Sequence, residues 1–217
     1  AQFFSSLADN ALFVAAVELL KASGSAEWQR AALVPMFALF YVVLAPFVGA
    51  FADSRPKGQV MFISNGIKVL GCVMMLFGSH PLLSYAIVGL GAAAYSPAKY
   101  GILTELLPAR QLVIANGWIE GLTVISIILG TVLGGALVSP AVSTTLLSFD
   151  MPLMQTGVDT PAEAAILVIA VFYLLATLFN LYIPDTGADY GHQHRQPVVL
   201  VREFGQCFMT LWRDRLS

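Results

Sequence analysis

Apolar runs of about 20 residues, separated by short loops that hold charges and turn formers, recur six times along this 217-residue chain. A helix of that length rises about 30 Å, the thickness of a bilayer's hydrocarbon core, and satisfies every backbone polar group within itself. The runs cover about 1–20, 31–52, 59–78, 82–107, 112–138 and 162–183. The fourth contains Pro97 and is expected to bend there. Only 11% of the residues are charged, against about a quarter in a soluble domain, which excludes a soluble fold. The expectation is an all-α membrane protein. A six-helix transmembrane bundle fills 1–184, and a cytoplasmic linker with an amphipathic helix fills 185–217. The chain opens at Ala1 without Met, partway into an apolar run, and stops at Ser217 inside a helical pattern, so both ends read as cut from a longer protein.

The loops set the orientation. Those after the first, third and fifth runs hold Lys21 and Arg30. Those after the second, fourth and sixth hold Arg55, Lys57, Arg110, Arg195, Arg202, Arg213 and Arg215. Lys and Arg collect on the cytoplasmic side, which puts the second set inside. The loop 139–161, with Asp150 and Asp159 and no basic residue, is then outside. In the tail, Leu200, Phe204, Phe208 and Leu211 recur at helical spacing opposite Arg202, Gln206 and Arg213, the pattern of a helix lying on the membrane surface.

Charges inside a bilayer are costly and mark function by default. Glu18 sits near an outer helix end and can reach water. Counting residues from the run ends puts Asp9, Lys68 and Glu120 about 12–14 Å above the inner face, one layer of complementary sign. Lys99 falls about 5 Å above that face, below the layer. Asn10, and Asn65 one turn before Lys68, add neutral hydrogen-bonding groups. The small residues from Gly89 to Ala94 precede Lys99 and let a helix or a ligand approach the backbone.

Other chemistry finds little support. The two cysteines, Cys72 in an apolar run and Cys207 in the tail, do not make a disulfide framework. His192 and His194 alone leave a zinc site incomplete. No phosphate-binding loop, G-x-S-x-G, C-x-x-C or H-E-x-x-H pattern is present, so neither ATP-driven transport nor hydrolysis is indicated. No cofactor, catalytic residue or metal ligand is assigned, and a net charge of -2 gives no sign of nucleic acid.

Gly49-Ala50-Phe51-Ala52-Asp53-Ser54-Arg55-Pro56-Lys57-Gly58 resembles the G-x-L-A-D-R-x-G-R-K signature of the major facilitator superfamily, with Pro56 for a usual glycine. Gly49 is expected to permit close packing, and Asp53 to hold a basic residue, Arg55 or Lys57, across a cytoplasmic gate. The fifth run's Ser126-x-x-x-Gly130-Thr131-x-x-Gly134-Gly135 is similar to the glycine-rich antiporter motif, with Thr131 for proline. It is read as packing. Tyr85 stands where proton-coupled exporters usually have arginine.

The segments around Asp9-Asn10, Ala45-Pro46-Phe47-Val48-Gly49, Gly91 to Leu103 and Ala115-Asn116-Gly117 narrow the resemblance to the bacterial lysophospholipid transporters of that superfamily. The likeness runs over nearly the whole chain and is weak in 139–161. It implies two three-helix inverted repeats, the N-terminal half of a twelve-helix secondary transporter. It also implies that lysophosphatidylethanolamine and lysophosphatidylglycerol cross a bacterial inner membrane, where an acyltransferase–acyl carrier protein synthetase would reacylate them. Asp9, Asn10 and Lys99 would then serve transport, with Lys68 and Glu120 beside them and the missing six-helix half and membrane lipids as partners. The alternatives are a superfamily exporter of drugs or other small solutes, the membrane part of an acyltransferase fusion, and a scaffold that docks a lipid-modifying enzyme.

Overall fold

The computed structural model describes residues 1–148 and 160–186, with Arg202, Gly205, Gln206, Met209 and Thr210 of the tail. Most of the tail helix expected over 198–216, residues 149–159 of the loop expected over 139–161, His192, His194 and Cys207 lie outside the described residues. Every element described is a helix: α1 Gln2–Ala22, α2 Glu27–Val43, α3 Ala45–Asp53, α4 Lys57–Leu76, α5 Pro81–Leu106, α6 Ala109–Val138, α7 Pro140–Ser148 and α8 Pro161–Asn180. Local chemistry places the ends. Thr160 Oγ1 accepts from the Glu163 N–H while Glu163 accepts from the Thr160 N–H, a reciprocal cap on α8. Gly24 (φ 66°) and Gly78 (φ 77°) close α1 and α4 in the left-handed conformation that glycine adopts without strain.

Among the described residues α1, α4, α6 and α8 are each long and apolar enough to cross a membrane, and α2 with α3, counted together as one bent span, meets the same test. The second run is therefore not one straight helix. It breaks at Leu44 with a bend of 64°, because Pro46 has no N–H to give the carbonyl of Val42. At 26 residues α5 has the length of a sixth span, and its polar Ser84, Tyr95, Ser96 and Lys99 keep it from the same apolarity. It continues as one helix on both sides of Pro97. The loop expected from 139 onward begins with an unforeseen short helix, α7.

The bundle packs through small residues. In α1, Ala8, Ala11, Ala15 and Ala16 are fully buried and let Ala165, Ile166, Ile169 and Tyr173 of α8 close in, with Cys72 and Met75 of α4 completing the core. A second cluster joins Ala52 of α3 with Val60, Met61, Tyr95 and Ala98. Gly134 of α6 lies so near α1 that a Cβ would meet the Ala11 carbonyl at 2.8 Å, and Gly130 is crowded in the same way by Leu7, so this motif packs helices. Gly91 lies against α4, where a Cβ would meet the Ser64 carbonyl at 2.6 Å, and Gly89 lies against the Phe37 backbone of α2. At Gly89 and Gly91 it is thus two helices that make the close approach the small residues allow, while Ala92 lines a polar cavity. Gly49 meets nothing within 4 Å, so the close packing expected there is absent. Much of α6 stays uncovered, with Val113, Trp118, Val124, Ile128 and Val132 exposed.

Candidate functional site

Asp9 and Ser5 stand one turn apart on the same face of α1, opposite Asn65 and Lys68 on α4. The Lys68 ammonium donates to Asp9 Oδ2 at 2.8 Å and to Ser5 Oγ at 2.9 Å, and its side chain is only 2% exposed. The Tyr173 hydroxyl of α8 donates to Asp9 Oδ1 at 2.7 Å, and Ser5 Oγ donates to Asn65 Oδ1 at 2.8 Å. The rings of Tyr95 and Tyr173 lie 5.4 and 5.6 Å from the Lys68 nitrogen, within cation–π range. Both oxygens of Asp9 are thereby occupied, and the buried pair is charge-neutral and hydrogen-bonded, the condition for a buried ion pair to persist. Tyr173 and Ser5 escaped the sequence reading. Ser5 had a signal, its place one turn before Asp9; Tyr173 had only a hydroxyl in an apolar run.

Glu120 does not pair within this group, although residue counting gave it the same height. It lies on α6, and its Oε1 faces Lys99 of α5 at 3.7 Å and accepts a hydrogen bond from Tyr100. Residue counting gave a height and no direction around the helix axis, and α6 turns this side chain toward α5. The Lys99 side chain is 9% exposed and Glu120 is 53% exposed. The Lys99 nitrogen lies 4.4 Å from the Tyr100 ring centroid and has no hydrogen-bond acceptor within 3.5 Å among the described residues. The two lysines thus differ: Lys68 is saturated and Lys99 is not.

Both line one polar cavity of about 130 Å³, walled by Ser5, Asp9, Lys68, Ser96, Lys99 and Thr123. A second cavity of about 380 Å³ continues from it through Ser6, Asp9 and Tyr41 and is lined by Phe13, Val34, Phe37, Tyr85 and Ile127. Asn10 lines the second, but its amide nitrogen donates to the Ser6 carbonyl of its own helix at 2.8 Å. Along α1 the polar cavity occupies the first two turns and the apolar one the next, about 6 Å farther from the Lys57 end. A further cavity of about 400 Å³ between the start of α4 and the end of α8, lined by Gln59, Asn180 and Asp185, holds none of these charges.

At the Lys57 end the signature loop closes on itself. Lys57 is buried and donates to Asp53 Oδ1 at 2.7 Å and to the Ala52 carbonyl at 2.8 Å. Glu105 of α5 faces the same nitrogen at 3.8 Å and accepts from Thr186 just after α8. Asp53 therefore holds Lys57, one turn on, while Arg55 lies exposed over the Phe51 ring. Glu105 and Thr186 went unread because nothing in the linear spacing links them to the loop. At the far end Glu18 pairs with Lys21 at the surface, as expected of a snorkelling acid. Among the described residues no group of His, Cys, Asp and Glu could hold a metal ion.

The family model described as "Major Facilitator Superfamily" matches residues 1–216. A protein of Yersinia enterocolitica named "Lysophospholipid transporter LplT" is 41% identical over 214 residues, 99% of this chain and 48% of that protein. A protein of the same name from Serratia proteamaculans is 40% identical over 214 residues, 99% of this chain and 49% of the relative. One from Yersinia pestis is 41% identical over the same length. The chain spans about half the length of the curated relatives it matches.

Proposed function

The chain belongs to the major facilitator superfamily, and from that premise we propose that it is the N-terminal half of a secondary carrier that moves lysophospholipids across a bacterial inner membrane. One observation carries the reading: a nine-tenths buried lysine, Lys99, lines a polar cavity, and among the described residues its ammonium meets only the Glu120 carboxylate at 3.7 Å and the Tyr100 ring. A buried cation held by one long contact is poorly compensated, and a phosphodiester is the acceptor that would satisfy it.

The order of the cavities supports the same class of substrate. With the basic loops in the cytoplasm, the polar cavity lies toward the inner face and the apolar one toward the membrane centre. That is how a lipid of the cytoplasmic leaflet is arranged, headgroup inward and single chain toward the midplane. Lys99 takes the phosphate, and Phe13, Phe37 and Tyr85 flank the acyl chain. The Asp9–Lys68–Tyr173 cluster is the fixed wall of the headgroup chamber, since its polar atoms already serve one another. Alternating access then rocks this half against the other, with Lys57, Asp53 and Glu105 latching the inner end. No bond of the substrate is made or broken. Delivered to the inner leaflet, the lysolipid is the substrate an acyltransferase–acyl carrier protein synthetase would reacylate.

Uptake of labelled lysophosphatidylethanolamine by spheroplasts carrying the full-length protein tests this. Lys99→Ala is expected to lower uptake at least tenfold at equal membrane abundance, by loss of a charge-assisted contact. Unchanged uptake in that variant would refute the site. Efflux of unrelated solutes without lysolipid uptake would favour a superfamily exporter instead.

A further inference from the structure

We infer that Glu120 selects the headgroup: a zwitterionic lysophospholipid opens the Lys99–Glu120 contact, seating its phosphate on Lys99 and its ammonium on Glu120. This rests on the lysolipid reading above. An ammonium needs a carboxylate partner, and Asp9, which shares the cavity, has none to offer. Its two oxygens are held at 2.8 and 2.7 Å by Lys68 and Tyr173. Glu120 is differently placed. Only Oε1 is engaged, by Tyr100 and by Lys99, while Oε2 makes no hydrogen bond among the described residues. The carboxylate is 53% exposed beside the chamber, so a ligand can reach it.

The contact between the two charges is also loose. At 3.7 Å it exceeds the roughly 2.7–2.9 Å of a charge-assisted hydrogen bond, whereas Lys68 and Asp9 lie at 2.8 Å. Inserting phosphate and ammonium between Lys99 and Glu120 replaces one poor pair by two good ones and leaves the local net charge unchanged. The two-carbon ethanolamine spacer is short enough for one headgroup to reach both. The other charges on the chamber, Asp9 and Lys68, neutralise each other and do not bias the exchange. An anionic headgroup differs. Its glycerol brings no cation, so its phosphate takes Lys99 and leaves Glu120 as an uncompensated like charge. Glu120 thus favours the zwitterion over the anion.

The test is transport by the full-length protein in liposomes, with lysophosphatidylethanolamine and lysophosphatidylglycerol measured separately for the wild type and Glu120→Gln. Glutamine keeps the shape and an acceptor for Tyr100, so the fold is retained. The expected result is a rise of about tenfold in KM for the ethanolamine lipid, the scale of one lost charge-assisted hydrogen bond. The glycerol lipid should be unchanged or improved. Lys99→Gln should raise KM for both lipids. An equal effect of Glu120→Gln on the two lipids, or an effect on neither, overturns the assignment of Glu120 and leaves the lysolipid reading standing. A wild-type protein that carries neither lipid overturns that reading and this inference with it.

Discussion

Replacing Asp9 by leucine would strand the Lys68 ammonium in a core where its side chain is 2% exposed. What remains to it is Ser5 Oγ at 2.9 Å and the faces of Tyr95 and Tyr173. Tyr173 loses its acceptor as well. Breaking a buried pair from one side costs about 3–5 kcal/mol, because the other charge is left uncompensated. The orphaned hydroxyl adds about 1–3 kcal/mol, and each ring face returns at most about 2. Asp9→Leu should therefore destabilise the protein by about 3–5 kcal/mol, and Lys68→Met comparably. The double variant Asp9→Leu/Lys68→Met removes both charges and should recover about 2–4 kcal/mol relative to either single one, a coupling expected of side chains in contact. Cys72 supplies the assay, being fully buried in the same core. With Cys72 as the only cysteine of the full-length protein, its rate of thiol labelling reports opening of the bundle. At tenfold per 1.4 kcal/mol, the single variants should label two to three and a half orders of magnitude faster, by rough count, and the double far less. Singles that label within fivefold of the parent, or a double as labile as the singles, would refute the claim that this pair closes the core.

Three smaller perturbations follow from the packing. Gly91→Val places carbon against the Ser64 carbonyl and Lys68 and should cost about 1–3 kcal/mol in the same labelling assay, whereas Gly121→Ala, with nothing within 4 Å, should be neutral or slightly stabilising. Thr160→Ala removes the reciprocal cap of α8 and should lower stability by about 1 kcal/mol, seen as a lower midpoint of thermal unfolding in detergent. Lys57→Met strips Asp53, the Ala52 carbonyl and Glu105 of a shared donor. A cysteine at Ala52 should then label several-fold faster from the basic-loop side, and an unchanged rate would show that the latch does not hold that end closed.

Several features were legible in the sequence because a bilayer allows few answers. Apolar length located the helices at 2–22, 57–76, 109–138 and 161–180, and the same pattern singled out Asp9, Lys68, Lys99 and Glu120 as charges too deep to be accidental. The second span failed in detail. Hydropathy does not register that Pro46 withholds a hydrogen bond, so a 64° break went unseen inside a run that looked continuous. The small residues before Lys99 left the partner of their close approach open. Glycine and alanine announce a close approach and do not say by what, and at Gly89 and Gly91 it is made by two helices.

The sequence by itself determined where the apolar helices lie, which loops carry the basic residues, and which charges fall inside apolar runs. Only the tertiary structure decided the partners: Asp9 with Lys68 and Tyr173, Lys99 with Glu120 and Tyr100, Lys57 with Asp53 and Glu105. The reason is geometric. Residue number along a helix gives one coordinate, its height, through a fixed rise of about 1.5 Å. A pair forms only where two side chains also share a direction around their axes and sit on neighbouring helices. Those two quantities come from how α1, α4, α5, α6 and α8 pack, and that packing left one lysine saturated and the other facing an open cavity.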